Sequence, residues 1–147
     1  MKMEFHGGRE LEEALRELKL STRKSIARKI LKRAGQKFAE RANALAPKGR
    51  GSRHLSGSYG VSSRLSKRQA AKVRKEGRDD VFMYAGTNDP AGQQQEFGNS
   101  RHPAQPHARP AFDETAKPMF DLIQDEMAGE VEKSVARARR KAARAGK

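Results

Sequence analysis

From Ile26 onward, apolar residues return at steps of four and three: Ile26, Ile30, Ala34, Phe38, Ala42 and Leu45. That spacing draws one narrow stripe down a helix, with Lys and Arg on the opposite face. Ser21 is placed to cap this helix, and Pro47 and Gly49 to stop it. Upstream, RELEEALRELKL (9–20) puts Leu11, Ala14, Leu15 and Leu18 on one stripe. Its Glu residues come early and its Arg and Lys late, as the helix dipole favours, and Gly7-Gly8 marks the turn before it.

The period then changes. KGRGSRHLSG (48–57) reads as a loop, and Tyr59, Val61, Ser63 and Leu65 alternate as in a strand with one buried face. VFMYAGT (81–87) reads as a buried strand. Strands over 58–65 and 80–87 are expected to pair antiparallel. A short basic helix over 67–76, opened by Ser66-x-x-Gln69 and closed by Gly77, would connect them. Asp89-Pro90 looks like an N-cap followed by proline at the first helical position, with a helical turn ending at Gly98. Phe112, Ala116, Phe120, Ile123, Met127, Val131 and Val135 then hold one face of a long helix that Pro118 must kink or restart. ARARRKAARAGK (136–147) keeps helix-forming residues but no bulky apolar ones, so fraying or partner-dependent order is expected. The pattern predicts an α+β fold: long helices packed on a small antiparallel sheet, with an extended proline-rich arm. One domain spans 1–130, and a basic helical or frayed tail spans 131–147.

Composition changes this picture in one respect, charge. The chain has 147 residues and a net charge of +14. Residues 47–78 hold 10 Lys/Arg against 1 acid, and 131–147 hold 7 against 1, whereas 79–130 hold 3 against 10. An acidic block therefore lies between basic ones, which points to a nucleic acid or an acidic protein neighbour. Two Tyr and no Trp provide little for base stacking. The absence of Cys excludes disulfides and thiolate chemistry and fits a reducing cytosol. No apolar run is long enough for a membrane helix, and the acidic N-terminal region does not read as a secretory signal.

EFGNSRHPAQPHARPAFDE (96–114) is the unusual stretch. Pro103, Pro106 and Pro110 bias His102, Gln105 and Arg109 to extended backbone, which carries His102 and His107 apart rather than onto one metal-binding face. No nucleophile–base arrangement and no phosphate-binding loop is legible, so no enzyme activity, metal or cofactor is expected. The stretch reads instead as a rigid docking arm. Phe97 and Phe112 are expected to anchor its ends in the core and Gly98 to supply a bend. Arg101, His102, Gln105, His107 and Arg109 are expected to project to a partner, with Glu96 at its start.

Glu96-Phe97-Gly98-Asn99, Pro103-Ala104-Gln105-Pro106 and Arg109-Pro110-Ala111-Phe112, preceded by Gly86, resemble a signature of tailed-phage head–tail joining proteins. These are the neck or tail-completion proteins, similar to the Z-type minor tail proteins of siphophages. Ala46-Pro47-Lys48-Gly49 with Leu55 and Ser56, and LSKRQ…KEG, fit the same pattern, so the resemblance covers about residues 4–130. His107-Ala108 stands where the family often carries a bulky apolar pair, Gln93–Gln95 where it is more apolar, and Asn99 where it has Thr. The two former departures predict a more polar loop. The resemblance implies a structural virion protein, built in the host cytoplasm. It would form a ring of six copies, or of twelve, between portal and tail, with the packaged DNA passing through. Partners would be the neighbouring head-closure or adaptor ring, the tail terminator or tail tube, and no membrane. An acidic block meeting basic blocks would suit a head-to-tail ring contact. Lys67, Arg68, Lys72, Arg74, Lys75 and Arg78 are the candidates for facing the channel DNA or the next ring. The alternative is a small basic cytosolic nucleic-acid-binding protein.

Overall fold

A computed structural model describes residues 12, 15–16, 18–48, 54–64, 67–76 and 81–145. Helix α1 spans Leu20–Leu45, strand β1 Gly60–Ser62, helix α2 Lys67–Glu76, strand β2 Tyr84–Gly86, helix α3 Pro90–Phe97 and helix α4 Ala108–Ala145. The architecture is α+β, dominated by long helices, with the two short strands as the only sheet among the described residues. The strands pair antiparallel with Val61 opposite Ala85, as expected, but they are shorter than 58–65 and 80–87. Nor is 81–87 the buried strand expected: none of its residues is buried and Phe82 is exposed. The sheet rests on α1 where Gly35 leaves room: a Cβ there would come within 3.1 Å of Val61 and 3.6 Å of Ala85.

The apolar stripes of α1 and α4 bring the two helices together as an antiparallel pair. Their core has two centres. One joins Ala39, Ala42 and Ala46 of α1 and its C-cap to Leu55, Tyr59 and Ala111. The other joins Leu18, Ile26 and Ile30 to Val131 and Val135. Small alanines in the first let the helices and the 55–59 turn approach closely; branched side chains fill the second. Three ion pairs run along the seam, Arg41–Glu114, Arg33–Glu126 (2.9 Å) and Lys29–Glu130 (3.3 Å). Three carboxylates of the acidic block, Glu114, Glu126 and Glu130, are thus paired with α1 of the same chain.

Several local expectations need correction. Ser21 does not cap α1, whose N-cap is Lys19 with no side-chain bond. The junction is stitched instead by Arg23, which donates from Nε to the Leu18 carbonyl (2.8 Å) and from a terminal nitrogen to that of Arg16 (3.2 Å). Pro118 does not restart α4, which runs through it as one helix. The tail is helical to Ala145, as alanine, arginine and lysine favour helix without help from packing. The Ser66 capping box, Gly77, Gly49, Arg78, the side chains of Arg68 and Lys72, and most of the helix read over 9–20 lie outside the described residues. No described helix is long and apolar enough to cross a membrane.

Candidate functional site

Asp89 caps α3 by accepting from the Ala91 amide (2.9 Å), with Pro90 at the first position, as its sequence predicts. The helix then delivers Glu96 to its buried side and Phe97 to its outer side. Gly98 follows with φ +75°, and a Cβ there would lie 2.8 Å from the Ala104 amide nitrogen. Only glycine makes this bend without strain or collision. The chain then turns on Asn99, whose side-chain oxygen accepts from the Arg101 (2.8 Å) and His102 (2.9 Å) amides. The loop folds back on α3, where the Gln105 amide donates to the Gln95 carbonyl (2.7 Å).

The return brings Glu96 beneath the start of α4. Its carboxylate accepts from the amides of His107 (2.8 Å), Ala108 (2.8 Å) and Arg109 (3.1 Å), and from Arg109 Nε (2.9 Å). The next residue, Pro110, has no amide hydrogen, and the Ala111 amide already donates to the His107 carbonyl (3.1 Å). A single carboxylate therefore satisfies the amides that a helix start leaves open, and sits where the helix dipole is positive. Burial pushes the Glu96 carboxyl up, but its three amide donors and the Arg109 guanidinium outweigh this and hold it at about 2. Arg109 is accordingly the second residue of a helix and not an extended one: Pro110 falls in the first turn, where its ring is tolerated.

His107 is the deepest member of the group, with 1% of its surface exposed. Nε2 lies 2.8 Å from the Tyr59 hydroxyl. Nδ1 lies 3.2 Å from the Gln105 carbonyl and 3.4 Å from Glu96. Both neighbours of Nδ1 only accept, so Nδ1 carries a proton, and Nε2 is hydrogen-bonded to the Tyr59 hydroxyl. Burial, and then the Glu96 charge, push the Tyr59 phenol up. Tyr59 is fixed in turn by Asn43 of α1, which accepts from its amide (3.0 Å) and donates to its carbonyl (3.1 Å). Nothing in the spacing of the sequence marked Asn43, because its partners lie 14 and 16 residues away. The expectation that His107 projects outward, in a more polar loop, is overturned: it fills an interior place, and Tyr59 satisfies the nitrogen that an apolar residue would not have.

The aromatic expectations also reverse. Phe97 is 66% exposed and Phe112 54% exposed; neither anchors in the core. Glu96 takes the buried side of α3 because its charge is fully answered there, which leaves Phe97 facing out. The Arg109 guanidinium lies 5.2 Å from the Phe97 ring centre. Phe112 meets Phe38 edge to face at 6.4 Å. Together Phe38, Phe97, Phe112, Ala108 and Gly92 line a mostly apolar groove of about 490 Å³, rimmed by Gln93, Arg109 and Asp113.

No family model, curated protein or solved structure matches the chain. Its function must therefore be read from the site itself. Glu96, His107 and Tyr59 are hydrogen-bonded by one another, by the backbone and by the side chains of Arg109 and Asn43, and no buried side-chain polar atom is left without a partner among the described residues. No described group of His, Asp and Glu residues is placed to hold a metal. What the site offers to solvent is the groove and the loop tip. Arg101, His102 and Gln105 are exposed on that tip, as expected. Lys67, Arg74 and Lys75 are exposed on α2, well separated in sequence from the groove.

Proposed function

We propose that this chain is a structural virion protein of a tailed phage, forming a ring in the neck between head and tail. It joins the head to the tail or completes the tail, and surrounds the DNA channel. One observation supports this reading most. The residues that carry the resemblance, from Glu96 to Phe112, are gathered into one unit whose buried polar groups hold each other and which exposes Phe97 and Phe112 beside a polar loop tip. A fixed apolar surface beside an arginine is the composition of a protein-binding hot spot. The groove and the Arg101–Gln105 loop tip then dock a neighbouring subunit or the adjoining ring. Six copies match tail symmetry, and twelve would match the portal. The basic residues of α2, with Arg78, face the channel or the next ring.

The test separates docking from folding. Phe97→Asp with Phe112→Asp should lower thermal stability only modestly, by about 1–2 kcal/mol, because both side chains are more than half exposed, yet leave heads and tails unjoined. Normal joining by that variant would remove the groove from the reading. Particles imaged with one or two copies of the protein would remove the ring.

A further inference from the structure

We infer that the last turns of α4 form a second, separate nucleic-acid contact, a helix that lies along the phosphate backbone of a duplex. Val135 is the last core residue of α4, and every described side chain from Ala136 to Arg144 is exposed. In that stretch Arg137, Arg140, Lys141 and Arg144 recur at steps of three, one and three, which places them on one helical face. Among the described residues none of the four forms an ion pair with a carboxylate of the chain; the ion pairs of α4 lie earlier, from Glu114 to Glu130.

Charge decides the partner. The stripe runs about 10 Å along the helix axis, and a duplex carries one charge per about 1.7 Å of its own axis. A polyanion of that density can occupy all four cations at once. A second copy of this chain fits less well, since the carboxylates Glu96, Glu114, Asp121, Glu126 and Glu130 are already paired internally. The exposed Asp113, Asp125 and Glu132 stand seven or more residues apart along α4, too sparse to meet four cations within about 10 Å of helix. The rest of the segment is alanine apart from Arg139. Alanine keeps the helix slim enough to approach the backbone closely and helical without a packing partner. No aromatic residue is present to stack an unpaired base, so a duplex is favoured over a single strand. No Asn or Gln is present to read adenine, so binding is set by phosphate and not by sequence. This surface uses other residues than α2 and does not depend on the neck assignment.

The experiment measures binding of the full chain to a labelled mixed-sequence DNA duplex across a salt series. Arg137→Gln/Arg140→Gln/Lys141→Gln/Arg144→Gln should weaken binding at least about tenfold at moderate salt. It should also reduce the slope of log affinity against log salt, by up to about 0.9 for each phosphate that is no longer neutralised. Arg137→Lys/Arg140→Lys/Arg144→Lys should restore both. Circular dichroism should show the same helix content in every variant. An unchanged slope in the glutamine variant overturns the inference. So does a parent chain that binds polyglutamate as tightly as the duplex at equal salt, with the same weakening in the glutamine variant, because the partner is then an acidic polypeptide.

Discussion

Glu96 does at one residue what a helix start commonly leaves to a local cap. Its folded value of about 2 lies below the ordinary 4.5. The stabilisation is therefore present above pH 4.5 and is lost as the pH falls from there through 2; only below 2 is the carboxyl protonated in both states. A difference of that size corresponds to about 3 kcal/mol. Glu96→Gln should remove that pH dependence and lower stability at neutral pH by about 2–3 kcal/mol, measured by denaturant unfolding at several pH values. His107→Ala should cost about 2–4 kcal/mol, because it opens a cavity and strands the Tyr59 hydroxyl. Phe112→Ala should cost only about 1 kcal/mol, since the ring is half exposed. The sequence favoured the reverse ranking. An aromatic after a proline reads as core and a histidine between prolines reads as surface, and nothing short of the fold shows that Tyr59 waits 48 residues away.

At the scale of elements much was legible. The steps of four and three in α1, the antiparallel pairing of the two strands, the 67–76 helix and the Asp89-Pro90 start rest on local periodicity or local capping and stand as read. The apolar run 81–87, by contrast, forms a short, partly exposed edge and not a buried strand. What failed involved contacts distant in sequence. The start of α1 is decided by Arg23 reaching back and not by Ser21, and the start of α4 by a carboxylate eleven residues upstream. Pro118, expected to kink or restart α4, does not restart it: the packing of α4 on α1 on both sides of it holds one continuous helix. Its ring still denies a hydrogen bond to the Glu114 carbonyl. Pro118→Ala should therefore raise stability, by up to about 3 kcal/mol, seen as a higher melting temperature. Gly98→Ala should lower it by about 1–3 kcal/mol through strain at positive φ and collision with the Ala104 backbone.

For the whole molecule, the charge blocks of the sequence are not the charge pattern of the surface. Glu114, Glu126 and Glu130 of the acidic stretch pair with α1 along the seam of the helical pair. Arg28, Lys32 and Lys37 of α1, Lys67, Arg74 and Lys75 of α2 and the end of α4 stay outward, as do the exposed Asp113 and Asp125. The seam pairs are partly exposed, so added salt should weaken the protein only slightly. The clamp at Glu96 has a further meaning for the chain as an object. It ties the end of α3 to the start of α4 without using the peptide bonds between them, and the intervening loop from Asn99 to Pro106 is exposed apart from its backbone anchors. Residues 1–100 and 101–147, made as two polypeptides, should find each other and rebuild the molecule, with the second supplying a helix to a waiting half-core. Co-elution of the two pieces, abolished by Glu96→Ala in the first, is the measurement that checks it.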